Sequence, residues 1–261
     1  MNLSLKGKYA LVGGSSKGIG LASAQQLALL GANVTLIGRD AATLTQSLGL
    51  LAKAHDQDHD FLIADYSDTT DLSKKINVLL FTKKYHILVN NTAGPPSGTV
   101  ADATPQQFIN TFNNHLICNH ILAQALIPSM KTLGYGRIIN IISTSVKQPI
   151  DNLGVSNTIR GAVANWAKTL ANELGQFGIT VNNVLPGATR TDRLEEIIKN
   201  EAQKKNITLE QVEQQMVSAI PLRRIADPEE IGAVVAFLAS PSASYITGIN
   251  VPVDGGRTKS L

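Results

Sequence analysis

The chain of 261 residues is long enough to bury a substantial core as one large α/β domain or two small ones. Its hydrophobic fraction of 43% and its charged fraction of 16% are typical of an ordinary soluble globular protein. The net charge is only +3 and the 23 basic residues are scattered, which argues against a nucleic-acid partner because binding a phosphate backbone needs clustered cations.

The single cysteine and the start of the chain bear on the compartment. Cys118 has no second cysteine to pair with, so no internal disulfide is possible, and its apolar helical surroundings predict a buried, inert thiol. The chain enters its first predicted strand within about ten residues, without a long apolar segment behind a basic start. We therefore expect a cytoplasmic protein with no signal peptide and no membrane span.

Strand-like and helix-like stretches alternate along the chain, which predicts helices on both faces of a parallel sheet. The predicted strands are 9–12, 33–37, 61–64, 87–90, 137–142, 180–185 and 249–253. The predicted helices between them are 21–30, 41–53, 72–82, 105–130, 156–176 and 228–238, the fourth bending near Pro128. Without an internal repeat or a low-complexity linker, residues 1–261 are expected to form one α/β domain, a Rossmann-type doubly wound parallel sheet.

The first predicted strand runs directly into the glycine-rich stretch 13–20, Gly-Gly-Ser-Ser-Lys-Gly-Ile-Gly, and a helix follows it. Glycines let the backbone turn sharply and leave room for a pyrophosphate, whose charge the amides and positive dipole end of the helix would meet. Glycines also serve ordinary turns, but the strand before them and the helix after them favour a phosphate site. The residues predicted to bind the cofactor here are Gly14, Ser16, Lys17, Gly18, Ile19 and Gly20.

The end of the second strand predicts which dinucleotide binds. In dinucleotide-binding folds an acidic residue roughly 20 positions past the glycines binds the adenosine ribose, whereas an arginine accepts a 2′-phosphate instead. Arg39 is the first residue after the second strand that could reach the adenosine ribose, and Lys17 adds a second cation in the glycine loop. Asp40 could turn inward to the ribose, and either cation could simply be solvated. The two cations nevertheless favour NADP(H) over NAD(H).

Residues 190–220 differ in composition from the rest of the chain, with many Glu, Lys and Gln and few aliphatic residues. They predict one or two amphipathic helices that stand off the sheet after the sixth strand. A segment in that place is suited to act as a substrate lid over a ligand crevice. The alternative is a pair of solvated surface helices.

Five motifs, in order and at matching spacing, resemble the short-chain dehydrogenase/reductase family over essentially the whole chain, and its 3-oxoacyl-carrier-protein reductases most closely. They are 13–20, with Gly13 in place of the family's Thr, then 64–65, 90–94, 182–191 and 245–256. The resemblance adds to the cofactor site Asp65, Tyr66, Asn91, Ala93, Pro186, Gly187 and Thr189. It implies that Asp65 contacts adenine, that Thr189 lies beside the nicotinamide, and that the protein is a homo-oligomer, a tetramer or dimer, formed through helices 105–133 and 156–177.

The catalytic positions depart from the pattern of that family. Its members use a Ser to hold the substrate carbonyl, a Tyr to donate a proton, a Lys four residues later, and an Asn that anchors a relay water. Ser143 matches the Ser, whereas the Tyr-x-x-x-Lys positions hold Ser156 and Arg160. The Asn position holds His115, although the neighbouring Asn114 could serve if the helix register slips.

These departures change the available chemistry. Ser156 is a poor proton donor because a serine hydroxyl is a far weaker acid than a phenol with a pKa of about 10. Arg160 can also bind the cofactor ribose, but with a pKa above roughly 12 it cannot release and regain a proton. His115 could titrate near neutrality and supply the missing acid, or could make only a structural hydrogen bond. Lys147 and Asp151 lie in the loop between Ser143 and Ser156, where each could face a substrate or water.

Two hypotheses about function follow. The first is an NADP(H)-dependent oxidoreductase that transfers hydride between the nicotinamide and a carbonyl or alcohol held by Ser143, with 3-oxoacyl compounds as one candidate substrate class. The second is a nucleotide-binding protein that has lost redox catalysis and acts as a sensor, scaffold or partner subunit. Both predict a small-molecule ligand and neither requires a metal.

Overall fold

The strands form one parallel sheet in the order β3-β2-β1-β4-β5-β6-β7, as seen in a computed structural model that describes residues 1–260. This order is that of a doubly wound Rossmann-type sheet, so the predicted fold is confirmed. The strands are β1 (Tyr9–Val12), β2 (Asn33–Gly38), β3 (Asp60–Ile63), β4 (Ile87–Asn90), β5 (Gly136–Ile141), β6 (Ile179–Pro186) and β7 (Asn250–Val253).

The helices connect these strands and cover both faces of the sheet. Within residues 1–260 they are α1 (Gly18–Leu29), α2 (Ala41–Leu48), α3 (Thr69–Leu80), α4 (Pro105–Phe112), α5 (Cys118–Leu133), α6 (Gly154–Leu174), α7 (Asp192–Lys205), α8 (Leu209–Ser218) and α9 (Pro228–Ala239). None of these helices is both long and apolar enough to cross a lipid bilayer. α2 ends at Leu48, earlier than predicted, with Gly49 as its C-cap residue.

The long helix predicted over 105–130 is not one regular helix. α4 ends at Phe112, residues 113–117 form a π-helical turn, and α5 continues through Pro128. The interruption of the predicted helix thus lies at residues 113–117, where the sequence predicted none, and the bend near Pro128 stays a prediction. A π-helical turn widens the helix by inserting an extra residue, and such turns often occur at functional sites.

An apolar layer covers each face of the sheet because successive strand residues point to opposite sides. On one face Val12 and Val89 pack in the cluster that contains residues of α1 and α9. On the other face Leu11, Leu88 and Ile138 pack in the cluster that contains residues of α5 and α6. The two layers fix the carboxyl ends of β1 to β7 along a single edge, where the predicted site residues follow the strands.

Four asparagine side chains form a hydrogen-bonded row across β4, β5, β6 and β7. Asn90 donates to Asn140 at 2.8 Å, Asn140 to Asn183 at 2.9 Å, and Asn183 to Asn250 at 2.8 Å. Each donor and its acceptor are direct partners in the strand register. Because a slip of one residue would break these bonds, the row fixes the register of this half of the sheet.

Residues 190–220 form the two predicted amphipathic helices, α7 and α8. Thr191 caps α7, and Thr208 caps α8 together with Gln211. The two helices bury a small apolar cluster of their own, which includes Ile198 and Val212. This cluster keeps the pair together as one unit beside the sheet.

Candidate active site

The helix that follows the glycine loop has an N-terminus without a side-chain cap. α1 begins after Lys17, which makes no capping hydrogen bond, whereas Asp40, Asp68 and Thr104 cap α2, α3 and α4. The first amides of a helix have no intrahelical partner and carry the positive end of its dipole. The start of α1 therefore presents N–H donors suited to an anion at the carboxyl edge of the sheet.

The conformation and close packing of this loop explain its glycines. Gly14 and Gly18 have φ angles of 52° and 56°, which favour glycine. A Cβ on Gly14 would lie 2.9 Å from Nδ2 of Asn91, and one on Gly20 would lie 2.7 Å from the same atom. Asn91 donates from this nitrogen to the carbonyl oxygens of Gly13 and Gly14, at 3.2 and 3.1 Å. The Asn91 side chain therefore holds the glycine loop in place, and its contact with the cofactor stays a prediction.

Tyr66 fills the space that a side chain at position 13 would need. A Cβ on Gly13 would lie 2.5 Å from the Tyr66 hydroxyl. Tyr66 is 8% exposed and packs in the core with Cys118, and this burial raises the pKa of its hydroxyl far above the usual range. The ring therefore supports the glycine loop from inside the core, and the contact of Tyr66 with the cofactor stays a prediction.

Arg39 and Asp65 lie close together where β2 and β3 end. Arg39 is exposed and takes part in none of the salt bridges within residues 1–260. Asp65 accepts a hydrogen bond from the Ser67 amide at 2.9 Å; this bond and the nearby Arg39 charge lower the pKa of Asp65. The two side chains predicted to meet the adenosine are thus brought together.

Asp40 does not turn inward, which removes the alternative ligand for the ribose. Its carboxylate caps α2 by accepting from the Thr43 amide at 2.8 Å and from the Thr43 hydroxyl at 2.5 Å. These bonds lower the pKa of Asp40 and hold its charge at the helix end. Arg39 is left as the side chain available at the end of β2.

Lys17 forms an ion pair with the start of α7. Its Nζ lies 2.6 Å from Oδ2 of Asp192, and the two side chains are 69% and 66% exposed. This bond and the Lys17 charge lower the pKa of Asp192. Thr191 also lies beside the glycine loop, since a Cβ on Gly18 would be 3.3 Å from its Cγ2. The segment predicted as a lid therefore contacts the loop predicted to bind phosphate.

Ser143, Ser156 and Arg160 meet where β5 ends and α6 begins. Ser143 is half-buried, and the Ser145 amide donates to its Oγ at 3.1 Å. Arg160 donates from Nε to the Ser156 hydroxyl oxygen at 3.1 Å and from Nη1 to the Ile142 carbonyl oxygen at 2.7 Å. Ser156 is 6% exposed. The guanidinium thus links Ser156 to the backbone just before Ser143.

His115 lies in the π-helical turn and is 4% exposed, whereas Asn114 is half-buried. Burial and the charge of Arg160 lower the pKa of His115 from 6.5 to about 3, against a weaker opposing effect of a hydrogen bond with the Ala93 backbone. Burial also lowers the pKa of Arg160, to about 10. The expectation that His115 titrates near neutrality is therefore wrong, and an uncharged imidazole faces Arg160 at neutral pH.

His115 is expected to make the folded protein sensitive to acid. Its pKa of about 3 in the folded state lies below the reference of 6.5, so the unfolded state binds the proton more readily between these values. This contribution to stability is complete above pH 6.5 and is lost as the pH falls toward 3. At pH 5 the loss amounts to roughly 2 kcal/mol in the free energy of unfolding.

Urea unfolding at pH 7 and pH 5 measures this effect. His115→Asn should lose less stability than the wild type over this interval, whatever its stability at pH 7. His120→Asn, which alters an exposed histidine on the next helical turn, is the matched control and should behave as the wild type. The assignment is contradicted if His115→Asn and the wild type lose equal stability.

The remaining predicted cofactor residues lie at the carboxyl end of β6. Pro186 ends the strand, and the buried Thr189 donates from its hydroxyl to the Gly187 carbonyl oxygen at 3.1 Å. A Cβ on Gly187 would lie 2.7 Å from the Asp254 backbone, so the ends of β6 and β7 approach closely. Elsewhere at this edge, in the loop before α6, Asp151 is exposed and Lys147 half-buried.

Comparison with known proteins gives matches along almost the whole chain. A family model described as enoyl-(acyl carrier protein) reductase matches residues 14–258. The NADPH-dependent reductase BacG of Bacillus subtilis is 31% identical over 261 residues, which cover 97% of this chain and 99% of that protein. The 3-oxoacyl-[acyl-carrier-protein] reductase FabG of Pseudomonas aeruginosa is 33% identical over 261 residues, 99% of this chain and 100% of that protein.

The chain belongs to the short-chain dehydrogenase/reductase family. The resemblance to this family that was inferred from the five motifs is thereby confirmed. Among solved structures, L-sorbose reductase from Gluconobacter frateurii, complexed with NADPH and L-sorbose, matches with a TM-score of 0.93 at 28% identity over 100% of both chains. These relatives are reductases, which supports an enzyme and lends no support to a non-catalytic scaffold.

Two contacts of this family member were not predicted from its sequence. Asp192 pairs with Lys17, and the neighbouring Arg193 donates from Nη2 to the Pro95 carbonyl oxygen at 3.0 Å. Charged residues on an exposed amphipathic helix usually face water, so nothing local distinguished these two from their neighbours. Only the folded chain brings the start of α7 against the loops that follow β1 and β4.

Proposed function

We propose that this member of the short-chain dehydrogenase/reductase family is an NADP(H)-dependent oxidoreductase acting on a carbonyl or alcohol substrate. The observation that carries the proposal is the uncapped start of α1 beside an unpaired Arg39, while Asp40 is committed to the cap of α2. A free cation at the end of β2 suits a 2′-phosphate, and a free carboxylate there would suit the ribose of NAD(H). The named activity of BacG and the NADPH complex of L-sorbose reductase agree with this choice.

Different residues of the chain would bind different parts of the cofactor. Arg39 and Lys17 would bind the 2′-phosphate, Asp65 would lie against adenine, and the amides at the start of α1 would bind the pyrophosphate. At the nicotinamide end the site would comprise Ala93, Arg160, Pro186, Gly187 and Thr189. When bound, NADPH supplies the hydride that the side chains cannot.

Hydrogen bonds to the substrate oxygen would come from two serines. The Ser143 oxygen already accepts from the Ser145 amide, which leaves the Ser143 proton free for a substrate carbonyl. The Ser156 oxygen accepts from the guanidinium of Arg160, which strengthens its own O–H as a donor and stabilises negative charge that develops there. His115 is uncharged at neutral pH, so we assign the final proton on the product oxygen to water rather than to this imidazole.

Incubation with NADPH and a panel of carbonyl compounds tests the proposed function. The panel should include 3-oxoacyl thioesters first, in view of the similarity to FabG, and ketoses in view of L-sorbose reductase. NADPH consumption with at least one class is the expected result. Silence across the panel, with NADPH binding confirmed by calorimetry, would favour the non-catalytic alternative.

Arg39→Ala is expected to weaken NADP⁺ binding by about tenfold to a hundredfold, the value of a lost charge-assisted hydrogen bond. Affinity for NAD⁺, which has no 2′-phosphate, should stay within about twofold of the wild type because the start of α1 is unchanged. Isothermal titration of both nucleotides measures the two effects separately. Equal losses for NADP⁺ and NAD⁺ would show that Arg39 does not meet the 2′-phosphate.

A homo-oligomer is also part of the proposal. α4 and α5 lie in the region through which the family resemblance implies association, and they expose Ile109, Phe112 and Leu133. Burying apolar side chains of this kind favours association of protomers.

A further inference from the structure

The first turn of α7 contacts both loops that flank the proposed cofactor cleft. On one side Asp192 pairs with Lys17 at 2.6 Å, and Thr191 lies against Gly18. On the other side Arg193 donates to the Pro95 carbonyl oxygen at 3.0 Å, in the loop after β4. The lid therefore begins with a turn that is held to the glycine loop through a single cation.

Lys17 has one carboxylate partner in the described part of the chain, and that partner is Asp192. The same ammonium group is one of the two cations proposed for the 2′-phosphate. An ammonium group has three donors, but a carboxylate and a phosphate that share it at close range repel each other. The Asp192 carboxylate therefore competes with the 2′-phosphate for the Lys17 ammonium group.

We propose that Asp192 is a latch residue that sets the affinity for NADP(H) and couples the cofactor to the lid. In the cofactor-free protein it holds the first turn of α7 on the glycine loop. When NADP(H) binds, the 2′-phosphate displaces Asp192 from Lys17. Breaking this ion pair reduces the net affinity for NADP(H) and releases the first turn of α7. The inference rests on the proposed function, because it requires that Lys17 meets the 2′-phosphate.

Asp192→Asn removes the charge and keeps the size of the side chain at the first position of α7. The pair is exposed, and an exposed ion pair contributes only modestly, so NADP⁺ affinity should rise by about twofold to fivefold. Affinity for NAD⁺ should not change, since NAD⁺ has no 2′-phosphate to bind Lys17. Isothermal titration with both nucleotides gives the two values.

Two controls separate the latch from a general effect of charge. Glu195→Gln removes an equal charge from the same turn of α7, but Glu195 makes no salt bridge with Lys17. It should leave the NADP⁺ affinity unchanged. In a Lys17→Met background, Asp192→Asn should have no effect, because the cation over which the two anions compete is gone.

Hydrogen exchange of the α7 amides reads out the latch without catalysis. In the ligand-free protein Asp192→Asn should exchange faster than the wild type over residues 192–196. Adding 2′,5′-ADP, which carries the 2′-phosphate but no nicotinamide, should raise exchange of the wild type to the same level, and 5′-ADP should not.

The outcomes distinguish the latch from the proposed function. A wild type that binds neither NADP⁺ nor 2′,5′-ADP would overturn both. A wild type that binds NADP⁺, with unchanged or equally raised NADP⁺ and NAD⁺ affinities in Asp192→Asn, would overturn the latch alone. A matching gain in Glu195→Gln, or a gain that persists in the Lys17→Met background, would also overturn it.

Discussion

Replacing Gly20 with alanine should abolish nucleotide binding, with at least about a hundredfold loss of NADP⁺ affinity. The new Cβ would lie 2.7 Å from Nδ2 of Asn91 and still closer to the Gly14 carbonyl oxygen. Both atoms belong to the hydrogen bond that holds the glycine loop, so the loop itself must move. Overpacking of this kind also costs typically about 1–3 kcal/mol of folding stability. Calorimetry with NADP⁺ and thermal unfolding measure the two effects.

Gly161→Ala is the matched control for this change. Gly161 also lies in a helix, α6, but a Cβ there would meet no atom within 4 Å. Alanine is a better helix former than glycine, so stability should rise by about 0.5–1 kcal/mol and NADP⁺ affinity should not change. Wild-type affinity in Gly20→Ala would refute the assignment of this loop as the nucleotide site.

Ser143→Ala is expected to lower kcat/KM by about a hundredfold to a thousandfold, as the loss of one donor to a developing oxyanion does. NADP⁺ affinity should be retained, because Ser143 is assigned to the substrate and not to the cofactor. Steady-state kinetics with the best carbonyl substrate, together with calorimetry, separate these effects. Ser143→Thr, which keeps a hydroxyl, should recover part of the activity.

Ser145→Ala controls for the local backbone. Ser145 lies in the 3-10 turn Thr144–Val146, which Ser143 caps, and its hydroxyl is buried with no hydrogen-bond partner in residues 1–260. Removing an unpartnered hydroxyl should therefore cost little activity and little stability. Equal losses of activity in the two alanine variants would mean that Ser143 acts only by capping this turn.

The sequence predicted the fold because its signals are local. The apolar runs that end at Val12 and Asn90 are short and bounded by turn residues, and the Thr104 and Pro105 pair marks a helix start. The π-helical turn was not predicted because the apolar residues around His115 fit a regular helix equally well. Its extra residue shows only in the backbone hydrogen bonds.

The site was predicted as a set of residue types at set positions, and what each side chain does there depends on distant partners. The need for glycine at position 13 becomes clear only in the fold, where the Tyr66 hydroxyl lies against it. Lys17 has the charge and position that were predicted, but its pairing with Asp192 depends on how the chain returns from β6 to the glycine loop at the start of α7. The pKa of His115 follows from burial and from Arg160, neither of which its neighbours in sequence reveal.

The asparagine row constrains how this half of the sheet can change. Asn140 and Asn183 each give one amide bond and receive one, so replacing either leaves two neighbours with unmet polar groups in the interior. Asn90 and Asn250 stand at the ends of the row, so replacing either leaves only one neighbour without its hydrogen-bond partner. Substitutions tolerated by descendants of this chain should therefore enter the row from its ends, or as compensating pairs, rather than one at a time in the middle.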